Sequence, residues 1–209
     1  MIHQHGGNHR GDVKQAYREI WELLAKDEFV VLDTETTGLD DPEMVSVAVI
    51  DRRANTILNE RVRPSKPIEP GASEITGIRD ADLADSPKFP EIYGTFRAAV
   101  EGKRVVIYNS SYDMKVIRNT CAQYDLATPQ FEPWCAMMWF ARIFGEWDSR
   151  RASYRWQRLS AAAQFYGVAQ IDAHDALGDT LTTLGVVDAA LEQARKVIAP
   201  AGMDPLFAL

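Results

Sequence analysis

Cysteine is scarce in this chain: of 209 residues only Cys121 and Cys135 carry a thiol, and they form no Cys-x-x-Cys pair. That excludes a disulfide scaffold, and both are read as reduced core side chains. No apolar run approaches the roughly 18 residues that cross a bilayer, and no signal peptide precedes the first expected helix. The protein is therefore expected to be soluble and cytoplasmic, with no membrane partner. Basic residues are outnumbered, 23 Lys and Arg against 30 Asp and Glu, for a net charge of −7. A deficit of that sign argues against a surface that coats duplex nucleic acid, which needs clustered Lys and Arg. Histidine is scarce too: of four, three fall at His3, His5 and His9, beside Gly6, Gly7 and Gly11. Residues 1–11 read as a mobile tail, which leaves His174 as the only histidine of the expected folded region, 12–199.

What is present is ordinary globular material, 46% hydrophobic and 25% charged, in an amount that suits a single domain with a sizeable core. Asp12 is a plausible N-cap for a helix to about Lys26, with Val13, Ala16, Tyr17, Ile20, Trp21 and Leu24 at helical spacing. Phe29 to Leu32 is a short β-branched run that ends in Thr36-Thr37-Gly38, the pattern of a buried strand running into a turn. Strands at 44–51 and 56–62 follow, separated by turn residues, so the opening is a three-strand antiparallel meander. A proline-rich connection, 64–70, leads into short helical turns at 74–85. A helix at 90–101, a buried strand at 104–108 and a helix at 111–124 come next. Helices are also expected at 134–144, 159–166 and 175–198, with Pro200 as the last stop and 200–209 as a tail. The order predicts an α/β fold with a mixed central sheet, an antiparallel meander plus parallel strands, flanked by helices. Ligands on such sheets gather at the carboxyl ends of strands.

The first strand carries the chemistry. Side chains alternate faces along a strand, so Asp33 and Glu35, two apart, point the same way. Like charges held that close raise one another's pKa unless a cation lies between them, and a divalent metal is the simplest resolution. Taken alone, a solvated Asp-x-Glu at a strand end explains the pattern equally well. Asp113, in the first turn of its helix, is an acid favoured there by the helix dipole. Asp179 lies at the edge of the last helix's apolar stripe. His174 precedes it by five residues, which do not share a helical face, so His174 is expected on the loop entering that helix. Between the helices at 134–144 and 159–166, Arg150, Arg151, Arg155 and Arg158 interleave with Trp147, Tyr154 and Trp156. Such a cluster takes phosphates and stacks bases, or is a solvated loop whose tryptophans tuck into the core.

Taken together, Asp33-x-Glu35, Asp113 within Asn109-Ser110-Ser111-Tyr112-Asp113, and His174 followed by Asp179 resemble, in order, the three motifs of the DEDDh 3′→5′ exonucleases. That family includes the proofreading subunit of bacterial replicative polymerase and ribonuclease T. The resemblance runs from about Phe29 to Ala190 and takes in Thr36-Thr37-Gly38 and Ile75-Thr76-Gly77-Ile78. It implies a ribonuclease H-like fold and release of nucleoside monophosphates from single-stranded DNA or RNA 3′ ends, DNA favoured, in repair or proofreading. Two divalent cations about 4 Å apart, Mg²⁺ or Mn²⁺, activate the water and stabilise the charge in such chemistry. By resemblance Asp33 bridges both ions, Glu35 and Asp179 support the nucleophile-side ion, and Asp113 holds the other. His174 is then the general base, as suits an imidazole titrating near neutral pH. Thr36, Thr37, Gly38, Leu39, Asn109 and Tyr112 are the implied substrate contacts. The chain departs from the family in having Tyr108 where a His is frequent and Tyr112 where a Phe is frequent, which bears on substrate preference.

Two other readings stay open: a noncatalytic nucleic-acid- or protein-binding module on the same fold, and an endonuclease or oligonucleotide phosphodiesterase. The resemblance leaves room for a homodimer and for a polymerase partner. The terminal Asp204-Pro205-Leu206-Phe207-Ala208-Leu209 looks a little like a sliding-clamp-binding peptide, or is a frayed end.

Overall fold

The computed structural model describes residues 9–25 and 28–198. His3 and His5, most of the expected N-terminal tail and the clamp-like C-terminal peptide lie outside the described residues. Helix α1 (His9–Ala25) precedes β1 (Phe29–Thr36), β2 (Met44–Asp51) and β3 (Thr56–Arg61). Then come α2 (Pro70–Thr76), a short 3-10 turn (Asp80–Leu83), α3 (Phe89–Val100), β4 (Arg104–Ile107), α4 (Ser110–Gln123) and β5 (Glu132–Cys135). The chain closes with α5 (Ala136–Phe144), β6 (Trp147–Asp148), β7 (Ser153–Tyr154), α6 (Leu159–Tyr166) and α7 (Ala176–Ile198).

The main sheet has the order β3-β2-β1-β4-β5. β1 pairs antiparallel with β2 and parallel with β4, and β4 pairs parallel with β5. β1 is thus the strand at which the sheet changes from meander to parallel character, the place where an open α/β sheet leaves a crevice beyond its strand ends. It is longer than the sequence pattern indicated. The ladder to β2 continues through Asp33, opposite Ala48, and Glu35, opposite Ser46, and becomes irregular only between Glu35 and Thr36. Both carboxylates are therefore fixed by backbone pairing.

Alternation along β1 sorts the two layers. Phe29 and Val31, with Ile50 and Val106, bury against Tyr17, Ile20 and Leu23 of α1, Phe140 of α5 and Val187, Leu191 and Ala194 of α7. Val30 and Leu32, with Val47, Val49, Val105 and Ile107, bury against Phe89 and Phe96 of α3 and Val116, Ile117 and Cys121 of α4. Parity then sends Asp33 and Glu35 to the α7 side and Thr34 to the α4 side.

Four sequence readings change. The first helix begins no later than His9, so Asp12 lies inside it and accepts a hydrogen bond from the Tyr154 hydroxyl at 2.6 Å. His9 packs against the Tyr154 ring, centroids 5.8 Å apart, so His174 is not the only histidine of the folded part. The stretch read as a helix from 134 is strand up to Cys135, because Trp134 and Cys135 continue the parallel ladder opposite Val106 and Ile107. The arginine-rich connection is a small hairpin rather than an irregular loop, with Trp147 opposite Tyr154 and Asp148 opposite Ser153. Among the described residues, no helix is long and apolar enough to cross a membrane.

Candidate active site

At the end of β1, Asp33 and Glu35 meet Asp179 from the first turn of α7. One carboxylate oxygen from each lies within 4.8 Å of the others. Asp113 comes from the opposite layer, through the first turn of α4. Its Oδ1 accepts hydrogen bonds from the Thr34 backbone N–H (3.1 Å) and the Thr34 hydroxyl (2.8 Å). Thr34 is the residue between the two motif acids, so β1 contacts helices on both faces within three residues, and four acids converge at one strand end.

His174 stands in a left-handed conformation, φ 64°, on the turn before α7, where its backbone N–H donates to Asp179 Oδ2 at 3.4 Å. Asp175 follows and caps the helix, its Oδ2 accepting from the Gly178 N–H at 3.1 Å. The turn is pressed onto the helix at Gly178: a Cβ there would meet the backbone oxygens of Ile171 and Asp172 at 2.5 Å. Ile171 N–H also donates to the Thr182 hydroxyl at 3.0 Å. These contacts fix where His174 stands relative to Asp179.

Burial and mutual repulsion keep the acids unusually basic. Burial first, then the charges of Asp113, Glu35, Asp179 and Asp175, holds the Asp33 carboxyl well above the usual carboxylate range. Glu35 is pushed up to about 8 by burial and by Asp179, Asp113 and Asp175. Burial pushes Asp113 up to about 7, against the lowering effect of the Thr34 hydrogen bonds. Burial also raises Asp179, whose Oδ1 is enclosed without a hydrogen-bond partner. An unpartnered buried carboxylate oxygen in a crowd of like charges is what a hard divalent cation relieves, since it takes oxygen ligands and removes the repulsion. The residues present fit a divalent metal.

Beside this cluster opens a cavity of about 320 Å³, lined by Glu35, Thr36, Gly38, Leu39, Glu69, Ile75 and Tyr112 among others. Of the six expected substrate contacts, Thr36, Gly38, Leu39 and Tyr112 line it; Thr37 and Asn109 do not. Thr37 is fully buried and braces the turn instead: its N–H donates to Glu43 O, its hydroxyl accepts from Glu43 N–H, and its carbonyl accepts from Glu69 N–H. Asn109 holds the start of α4, its carbonyl accepting from Tyr112 N–H at 3.0 Å. At Gly38, φ 157°, an added Cβ would overlap the Glu69 carboxyl, 2.1 Å from its carbon. The glycine is what lets that carboxylate reach the cavity. Both departures from the family pattern have structural uses. The Tyr112 hydroxyl donates to Gly38 O at 2.7 Å and lies 2.9 Å from Thr36 Oγ1. The Tyr108 hydroxyl donates to Gln157 O at 2.9 Å.

Sequence reasoning missed Glu69, Thr34 and Asp175. Asp175, adjacent to His174 at a helix start, was readable as an N-cap; Glu69, more than thirty residues from any motif acid in either direction, left no signal in spacing.

An exonuclease family model (RNase_T) matches residues 30–187, which include every acid of this site and His174. The chain belongs to the exonuclease family. An uncharacterized exonuclease of Escherichia phage 186, CP81, is 38% identical over 172 residues, covering 78% of this chain and 88% of that protein. The DNA polymerase III epsilon subunit of Buchnera aphidicola is 34% identical over 99 residues, 42% of each chain. Among solved structures, exonuclease X in complex with 5′ overhanging duplex DNA superposes with a TM-score of 0.60. At 23% identity it covers 82% of this chain and 99% of its own. The shared fold is ribonuclease H-like.

Proposed function

We propose that this exonuclease removes nucleoside monophosphates one at a time from the 3′ ends of single-stranded nucleic acid, with DNA the favoured polymer, using two divalent cations. The observation that carries the reading is the convergence of four acids, Asp113 buried and Asp33, Glu35 and Asp179 half-buried, with His174 at a strand end beside a cavity of about 320 Å³. Asp33, Glu35 and Asp179 would hold one cation, and Asp33 with Asp113 a second. When bound, such ions supply charge neutralisation on the phosphate and acidification of the attacking water.

The chain's own residues account for the remaining steps. His174, exposed and held by its backbone beside Asp179, takes the proton of the attacking water at a ring nitrogen. Thr34 keeps the Asp113 carboxylate oriented through two hydrogen bonds. The turn 36–39, clamped by Tyr112, presents Leu39 and the wall of the cavity to the terminal nucleotide. Glu69 supports the proposed direction. Its carboxylate accepts a hydrogen bond from a free 3′-hydroxyl but repels a phosphate, so the cavity favours an unblocked 3′ terminus over an internal nucleotide or a phosphorylated end. Exonuclease X, similar in fold, is seen in complex with 5′ overhanging duplex DNA.

Digestion of paired linear and circular single strands tests this. A 5′-labelled linear strand should shorten progressively with Mg²⁺ or Mn²⁺ while the circle stays intact. Cleavage of the circle would establish an endonuclease instead.

A further inference from the structure

The arginine hairpin lies outside the acidic site, yet it is tied to it at one point and stiffened at several others. Gln157, just past β7, receives the hydroxyl of Tyr108, which directly precedes Asn109 and the helix carrying Asp113. At its other end the hairpin is pinned to α1. Tyr154, whose ring meets Trp147 edge to face at 5.1 Å, donates to Asp12 of α1 and packs against the His9 ring with centroids 5.8 Å apart.

Its charges are divided unevenly. Glu146 and Asp148 are both engaged within the hairpin. Glu146 pairs with Arg155 at 3.2 Å and accepts from Gln157 Nε2. Asp148 lies 3.8 Å from Arg155 and accepts from the backbone N–H groups of Arg150 and Arg151. Arg150, Arg151 and Arg158 are exposed, and among the described residues no ion pair takes their guanidinium groups. Trp156 is 62% exposed, an unusual state for the largest aromatic side chain in a protein with an ample core. Arg151, Tyr154, Arg155 and Trp156 border a cavity of about 350 Å³. A rigid ribbon with unneutralised guanidiniums and a bare indole is suited to an alternating chain of phosphates and flat bases. It also supplies locally the positive charge that the acidic remainder of the molecule lacks.

We infer that the 147–158 hairpin binds the single strand on the 5′ side of the bond being cut, with Arg150, Arg151 and Arg158 on phosphates and Trp156 stacked on a base. The inference rests on the exonuclease reading above and adds a second contact surface to it. It makes the enzyme prefer strands long enough to reach from the acidic site to the hairpin.

The test measures binding apart from turnover. In EDTA, anisotropy of a labelled single strand of about twelve nucleotides, within the usual span of such surfaces, is titrated at several KCl concentrations. Wild type is compared with an Arg150→Ala, Arg151→Ala, Arg158→Ala triple variant, the corresponding triple Lys variant, and Trp156→Ala. The alanine triple should weaken binding by about tenfold or more and lower the salt slope by about two, near 0.7 per lost phosphate contact. The lysine triple should retain the slope, Trp156→Ala should weaken binding at an unchanged slope, and dinucleotide hydrolysis with Mg²⁺ should match wild type in all three. Affinity and slope unaltered in the alanine triple would overturn the inference. A wild type that hydrolyses neither dinucleotide nor the longer strand would instead overturn the exonuclease reading, and the binding titration would still decide the hairpin.

Discussion

Asp33 is the residue on which the other acids converge, and its replacement separates metal chemistry from folding. Asp33→Asn keeps shape and relieves repulsion, so thermal stability should hold or rise, while activity falls on the order of 10³-fold or more through lost cation binding. Melting curves and nuclease assays on the same preparation check both halves; a lower melting temperature would contradict the repulsion on which the raised carboxyls depend. His174→Ala should behave differently: a loss of about 10² to 10⁴ in rate, with Mn²⁺ affinity retained in a calorimetric titration, since the ring supplies no ligand oxygen. At this scale the sequence was informative wherever a residue's role follows from local geometry. Two acids two apart on a strand must share a face, and His174 had to sit off the helix that bears Asp179. Glu69 could not be found that way, because it reaches the cavity only through the missing side chain of Gly38.

Elements place these residues, and α7 is the one under most constraint. Gly178 lets the 171–174 turn lie against it with backbone oxygens 2.5 Å from where a Cβ would be. Gly178→Ala should therefore cost about 1 to 3 kcal/mol in urea unfolding. It should also reduce activity by displacing His174, without touching an acid. Phe140→Ala, in the layer between α5, α1 and the sheet, should cost about 3 to 5 kcal/mol and leave the activity of the folded fraction intact. The element order was legible because β1, β2 and β4 are short β-branched runs and α1, α4 and α7 have helical periodicity. Strand β5 was not: Trp134 and Cys135 flow into the apolar start of α5, and only pairing with β4, a long-range contact, makes them a strand. The β6–β7 hairpin escaped for the same reason, since its stabilising contacts come from Asp12 and His9 far off in sequence.

For the whole molecule, the raised carboxyls make stability depend on pH and metal together. Glu35 titrates near 8 and Asp113 near 7 in the folded chain, against about 4 when unfolded. Between those values the folded state holds more protons than the unfolded one, so stability declines as pH rises from about 4 to 8 and levels off above. A divalent cation replaces those protons. The expected outcome is that Mg²⁺ or Mn²⁺ raises the melting temperature more at pH 8 than at pH 6. Equal shifts at the two values would mean that the acids are not coupled to the metal. The fold as a whole, a five-strand sheet switching from antiparallel to parallel at β1, puts acids from both helical layers at the end of that central strand, and that convergence underlies the activity proposed here. Its most direct test is release of mononucleotides from a 5′-labelled single strand by wild type, Asp33→Ala and His174→Ala, each with Mg²⁺ and with EDTA. The expected result is stepwise shortening from the 3′ end by wild type with Mg²⁺, about 10² to 10⁴ times slower shortening by His174→Ala with Mg²⁺ and none in the other lanes; full activity in either variant, or shortening that survives EDTA, would contradict it.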